Sequence, residues 1–168
     1  CIAAARSSDF FRGFKRNPAY RHVLEHVSYE EGSKYLDEID LDYSSKLDEI
    51  KENDTLGDPV TCDYKGIGFI SPTTVRYLKN TSDIVNKFGT SFNSIAEIGG
   101  GYGGLCKVMS SFIDFNNYLL LDLDGNMSHV EFIDIMSNTH DIEYHGEHGV
   151  ETNPKVMFGV IKWKSLIL

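Results

Sequence analysis

Apolar residues in the first third of the chain recur every three or four positions, a spacing that predicts amphipathic helices over residues 7–52. Pro18 suits the first turn of one helix, and Ser28 with a glutamate three positions later has the form of a capping box. Residues 52–70 lose the helical spacing and are rich in turn-forming residues. We therefore expect a long loop there, with at most one short strand at 68–70.

Helical and strand-like segments alternate after residue 70, a pattern that predicts an α/β fold. Ser71-Pro72 combines a capping side chain with a proline in the first helical turn, and Gly89 is placed to end that helix. The other predicted elements are strands over Ser94–Ile98 and Asn117–Asp122, a helix over Met127–Met136, and strands over Ile142–Tyr144 and Val156–Ile161.

The most informative stretch follows the first of these strands. Five glycines stand in six positions, at Gly99, Gly100, Gly101, Gly103 and Gly104, and apolar residues then recur at helical spacing. A strand, a tight glycine turn and a helix in this order are typical of the opening unit of a nucleotide-binding sheet. Glycine allows positive φ and lets a ligand lie directly on the backbone. The first N–H groups of the helix lack internal partners and can bind a polar group.

Two ligand classes use such a turn. The spacing from Gly99 to Gly104 fits the dinucleotide pattern G-x-G-x-x-G, whereas Glu97 followed by alternate glycines fits the first motif of S-adenosylmethionine (SAM) methyltransferases. A carboxylate at position 97 would repel a pyrophosphate and cost burial energy, but it suits the cationic groups of SAM. Glu97 therefore favours SAM. Asp122, at the end of the second predicted strand, suits ribose hydroxyls in both classes.

With these motifs, residues 18–124 resemble the bacterial sugar O-methyltransferase family, a class I SAM-dependent group. The likeness covers roughly two-thirds of the chain and is carried by Asn17–Glu31, Ser71–Tyr77, Glu97–Gly104 and Tyr118–Leu123. It implies an incomplete Rossmann-like methyltransferase sheet over residues 71–168, preceded by an N-terminal helical cap over residues 1–70.

The resemblance also implies a cofactor site and a substrate. Glu97, Gly99, Gly101 and Gly103 would line the methionine end of SAM, and Asp122 would hold the ribose. Gly100 and Tyr102 complete the candidate set, and contact of Tyr102 with the cofactor is favoured over packing against the helix. Because the family is associated with surface-polysaccharide assembly, the implied acceptor is a sugar hydroxyl of a small molecule or glycan.

The likeness ends after Asp122, where Leu123-Asp-Gly-Asn126 replaces the family's Leu-Pro-Glu-like turn. No fourth-strand motif borders the transferred methyl group, so no catalytic base can be carried over. We expect the chain to be a truncated member, because a complete doubly wound sheet needs further strands and helices. The alternatives are an NAD(P)-dependent oxidoreductase and a cofactor-binding remnant without turnover.

The composition of the chain argues against some classes of binding partner. The 168 residues carry a net charge of −9, which argues against a broad nucleic-acid or anionic-membrane surface. No run approaches the roughly 20 apolar residues of a membrane helix. The three cysteines, Cys1, Cys62 and Cys106, are too few and too scattered for a disulfide framework. These features favour a cytoplasmic protein.

Three other groups of residues combine candidate chemistry with a plain structural interpretation. The segment His140–His148 is dense in metal-capable side chains, and His22 and His26 stand one helical turn apart, but solvated surfaces are favoured for both, so no metal site is predicted. Basic residues mixed with aromatic ones between residues 10 and 21 could meet an anionic glycan. Packing of that amphipathic segment onto the protein is favoured instead.

Overall fold

The computed structural model describes residues 8–123, 142–144 and 156–161. Its helices are α1 (Ser8–Arg12), α2 (Pro18–Val23), α3 (Tyr29–Asp37), α4 (Leu47–Lys51), α5 (Pro72–Phe88) and α6 (Gly104–Met109). Its strands are β1 (Cys62–Tyr64), β2 (Gly68–Ile70), β3 (Ser91–Ile98), β4 (Asp114–Leu123), β5 (Ile142–Tyr144) and β6 (Val156–Ile161). Three short 3₁₀ turns cover Phe14–Arg16, Ser44–Lys46 and Glu52–Thr55. The protein thus mixes helix and strand, which is compatible with the expected α/β class.

The larger sheet contains four parallel strands in the order β3-β4-β6-β5. β3 and β4 contain the two strands predicted around the glycines and begin three residues earlier than predicted. β5 and β6 have the predicted bounds. The predicted helix over Met127–Met136 lies outside the described residues. Because β6 lies between β4 and β5, the strands do not follow one another across the sheet in chain order.

The chain divides into two compact units. The helical unit, as we call it, comprises Asp9–Thr90 and Gly104–Ile113. The sheet unit comprises Ser8, Ser91–Gly103 and, from Asp114 onward, the remaining described strands. The last glycine of the turn, Gly103, therefore belongs to the sheet unit, whereas α6 belongs to the helical unit. The predicted boundary at residue 70 stays a prediction.

One apolar cluster forms the core of the helical unit. Its buried members come from α4, the β1–β2 hairpin, α5 and α6: Ile50, Tyr64, Ile67, Ile70, Val75, Leu78 and Val108. α5 packs against both α3 and α6. The apolar residues of these helices recur every three or four positions, and this periodicity turns one face of each helix toward the shared core.

The predicted helix ends are confirmed. Ser28 and Glu31 form the reciprocal hydrogen bonds of a capping box at the start of α3. Asn17 caps α2, with Pro18 in its first turn. The Ser71 side chain accepts a hydrogen bond from the Thr74 N–H at the start of α5. Gly89 ends that helix with φ of 88°, a conformation that glycine adopts at low cost.

The short strand expected at 68–70 is confirmed as β2, but the expectation of a long loop with at most one strand over residues 52–70 is wrong. The segment contains the 3₁₀ turn Glu52–Thr55 and an antiparallel hairpin of β1 and β2, paired from Cys62↔Ile70 to Tyr64↔Gly68. β1 contains Asp63, a residue type that strands disfavour, so local preferences do not predict it. β1 is stabilised by tertiary burial of Tyr64, which is 2% exposed and stacks on Tyr29.

The basic-aromatic segment near the N-terminus packs onto the helical unit. Lys15 is 1% exposed, and its ammonium group donates a hydrogen bond of 3.1 Å to the carbonyl oxygen of Asn53. The guanidinium of Arg16 forms an ion pair with Asp58. The rings of Phe14 and Tyr20 meet edge to face at 4.9 Å. The favoured structural interpretation of this segment is therefore confirmed.

Candidate functional site

The glycine turn lies between two parallel strands, as predicted. β3 pairs with β4 in parallel register from Ser91↔Asp114 to Ile98↔Leu121. The chain leaves β3 after Ile98, passes through Gly99–Gly103 and enters α6 at Gly104. A helical crossover of this kind is the usual connection between adjacent parallel strands. The strand, turn, helix and strand therefore follow one another as the motif requires.

Three glycines of the turn have conformations that other residues adopt at a cost. Their φ angles are 77° at Gly99, 58° at Gly101 and 85° at Gly103. The N–H of Gly103 donates a hydrogen bond of 2.9 Å to the carbonyl oxygen of Gly100, which closes the turn. The alternate glycines at 99, 101 and 103 are therefore required by the backbone itself, whatever the turn binds.

Gly100 is required for a different reason, which is packing against β4. A Cβ atom added to Gly100 would lie 2.5 Å from Cδ1 and 2.6 Å from Cγ of Leu120. Leu120 is completely buried, so it has little room to move aside. A Cβ added to Gly99, by contrast, would meet no described atom within 4 Å. The backbone at Gly99 can therefore be approached closely, and the backbone at Gly100 supports the turn.

Glu97 is the penultimate residue of β3 and forms a hydrogen bond within the sheet unit. The phenolic hydroxyl of Tyr118 donates to the Oε2 atom of Glu97 at 2.7 Å. Glu97 pairs with Leu120 in the register, and side chains two residues apart on a strand lie on the same face. Glu97, Tyr118 and Leu120 therefore share one face of the sheet, the face on which Gly100 contacts Leu120.

The degree of burial of Glu97 affects how strongly its carboxylate disfavours a dinucleotide. Glu97 is only partly buried. Because a partly buried carboxylate keeps part of its hydration, the burial cost of Glu97 beside a dinucleotide is lower than that of a fully buried carboxylate. The discrimination between the two ligand classes therefore depends on the repulsion between this carboxylate and a pyrophosphate, and on its attraction to a cation.

The backbone brings Asp122 to the same end of the sheet. Asp122 lies one residue beyond the last β3–β4 pair, Ile98↔Leu121, and opposite Val160 of β6. The carboxyl ends of parallel strands meet at one edge, which is the usual place for ligands of open α/β sheets. Glu97, the turn and Asp122 thus come together at one edge. Tyr102 lies within the turn and is partly buried.

Tyr118 is the residue of this region that the sequence prediction missed. It stands four residues before Asp122, in a strand that is otherwise aliphatic at Leu119, Leu120 and Leu121. A lone polar aromatic in such a strand was a signal that its hydroxyl has a partner. The identity of that partner depends on the register between β3 and β4.

A second group of titratable side chains, also missed, lies in the helical unit. Burial lowers the pKa of Lys15 to about 8, although the charges of Glu25 and Asp54 oppose this shift. Burial also raises the pKa of Glu25, against the opposing effects of Lys15 and of a hydrogen bond with Thr73. These contacts join the N-terminal segment to the first turn of α5, which is a structural role.

The candidate metal ligands gain no support. In the part of the chain that the structure describes, no three His, Cys, Asp or Glu side chains are grouped as a metal site would require. One ring nitrogen of His26 lies 3.1 Å from the carbonyl oxygen of Val23. Of the segment His140–His148, the structure describes only strand β5.

Comparison of the chain with protein-family models, with curated proteins and with solved structures found no match. The family resemblance therefore stays a prediction. No helix among the described residues combines the length and the apolar character needed to cross a membrane.

Proposed function

We propose that the chain binds S-adenosylmethionine at the glycine turn and that it O-methylates a sugar hydroxyl of a small molecule or glycan in polysaccharide biosynthesis. The corresponding fold is a Rossmann-like class I methyltransferase sheet over residues 71–168, with a helical cap over residues 1–70. A cytoplasmic location goes with this proposal.

One observation carries the cofactor assignment. The carboxylate of Glu97 stands two residues before a turn whose glycines at 99, 101 and 103 have positive φ. The turn leads from one parallel strand toward the next. An anion at this position favours a ligand with cationic ammonium and sulfonium groups and disfavours a diphosphate.

The residues present fit such a cofactor. Glu97 would pair with the ammonium group of its methionine portion, and the backbone near Gly99, which no Cβ screens, would lie against the same portion. Asp122, at the carboxyl end of β4, would accept hydrogen bonds from the ribose hydroxyls. When bound, SAM supplies an electrophilic methyl group. The choice of a sugar acceptor depends on the family resemblance.

Parallel calorimetric titrations with S-adenosylhomocysteine and NADH test the cofactor. We expect binding of S-adenosylhomocysteine and none of NADH. Glu97→Gln should weaken the binding of S-adenosylhomocysteine at least about tenfold, since hydrogen bonds to charged groups contribute roughly 1.5–3 kcal/mol. Glu30→Gln, which changes an exposed glutamate of α3, is the matched control and should bind like the wild type. Asp122→Ala should also weaken binding at least about tenfold.

The alternatives predict different results. An NAD(P)-dependent oxidoreductase would respond to NADH alone, and that result would end the methyltransferase proposal. A remnant without turnover would bind S-adenosylhomocysteine but would transfer no methyl group from radiolabelled SAM to any sugar acceptor. Unchanged affinity of the Asp122→Ala variant for S-adenosylhomocysteine would show that Asp122 is not part of the site.

A further inference from the structure

The hydrogen bond between Tyr118 and Glu97 has a consequence for cofactor binding. Tyr118 is 1% exposed, and its ring meets that of Phe115 edge to face at 5.3 Å. A buried ring in such a contact has few alternative rotamers, so its hydroxyl is held in one place. The 2.7 Å hydrogen bond transmits this fixed position to the carboxylate of Glu97.

The strand register explains how the two side chains meet. Tyr118 pairs with Ile95, two residues before Glu97 on the same face of β3. A glutamate side chain has three rotatable bonds, and an unrestrained one must lose that freedom when it binds a cation. A carboxylate already held by a neighbouring strand loses less freedom on binding. A carboxylate offers about four acceptor positions, and the bond from Tyr118 uses one of them.

We infer that Tyr118 is a positioning residue, which orients the Glu97 carboxylate toward the ammonium group of the methionine portion of SAM. This inference rests on the proposed function, because it requires SAM to bind at the turn. Tyr118 acts through Glu97 and touches no part of the ligand. Its removal therefore affects only ligands that carry the ammonium group.

Two ligands and a double-mutant cycle test this inference. S-Adenosylhomocysteine carries the amino-acid portion, whereas 5′-methylthioadenosine has the same nucleoside without it. Calorimetry of wild type, Tyr118→Phe, Glu97→Gln and the double variant gives the cycle. We expect Tyr118→Phe to weaken the binding of S-adenosylhomocysteine about tenfold, as for a lost hydrogen bond to a charged group. The affinity for methylthioadenosine should stay unchanged. With glutamine at position 97, Tyr118→Phe should have no further effect.

Tyr64→Phe is the matched control. It removes a tyrosine hydroxyl that donates to the carbonyl oxygen of Tyr29 at 3.2 Å in the helical unit. This variant should bind both ligands like the wild type. If Tyr118→Phe fails to fold, Glu97→Asp replaces it, because it keeps the charge but withdraws the carboxylate from the Tyr118 hydroxyl. Glu97→Asp should weaken S-adenosylhomocysteine selectively, and unchanged affinity would overturn the inference.

The outcomes separate the inference from the proposed function. If the wild type does not bind S-adenosylhomocysteine, both fail. If the wild type binds it and Tyr118→Phe weakens both ligands equally or neither ligand, the positioning role is wrong and the proposed function stands. An equal loss with glutamate or glutamine at position 97 would show that Tyr118 acts only through the structure of the sheet.

Discussion

Substitution of Gly100 by alanine should destabilise the protein through a single contact. Gly100 does not have positive φ, so its backbone accepts alanine without conformational strain. The added Cβ would lie 2.5 Å from Cδ1 of Leu120, well inside van der Waals contact. Overpacking of a buried site by one methyl group costs about 1–3 kcal/mol. For a chain of this length, a loss of 1 kcal/mol lowers the Tm by about 2–4 °C.

A double-mutant cycle isolates that contact. Leu120→Ala alone should cost about 2–5 kcal/mol, because it removes a fully buried side chain. It also removes the atoms that the new Cβ would strike. In the Leu120→Ala background, Gly100→Ala should therefore cost almost nothing, and the coupling free energy should equal the whole penalty of about 1–3 kcal/mol. Urea denaturation followed by far-UV circular dichroism gives all four values.

Gly13→Ala is the matched control. Gly13 also has negative φ, and a Cβ added there would meet no described atom within 4 Å. Its free energy of unfolding should stay within about 0.5 kcal/mol of the wild type or rise slightly. An equal penalty for Gly100→Ala with leucine or alanine at position 120 would refute the packing explanation.

Two further predictions concern the helical unit. Asp54→Ala should lower the free energy of unfolding by about 3 kcal/mol in urea denaturation, because the Asp54 carboxylate accepts hydrogen bonds from the backbone N–H and hydroxyl of Ser71 and from the hydroxyl of Thr74. Asp63→Asn, at an exposed position, is the control, and an equal effect in that variant would contradict the role of Asp54. Burial lowers the pKa of Lys15 from 10.5 to about 8. Between those pH values the unfolded chain binds more protons than the folded protein, so the stability of the wild type should rise with pH relative to that of Lys15→Met. Parallel pH profiles of stability for the two proteins would disprove this.

Much of the local structure was predictable because its causes lie within a few residues. The capping box at Ser28, the start of α5 at Ser71-Pro72 and its end at Gly89 are each determined by side chains and φ preferences at adjacent positions. The hairpin strand β1 was not predictable in this way. It contains Asp63, which strands disfavour, and it depends on the burial of Tyr64.

The candidate site also combines features that local sequence predicts with features that depend on tertiary contacts. The sequence alone identified the glycine turn, Glu97 before it and Asp122 near the end of β4, because a strand, glycines and a helix follow one another locally. Only the tertiary structure decided that Tyr118 donates a hydrogen bond to Glu97, that Leu120 leaves no space for a Cβ at Gly100, and that Lys15 is buried. The physical reason is that each of these contacts joins residues about 20 or more positions apart, so it depends on strand register and packing, which local preferences do not determine.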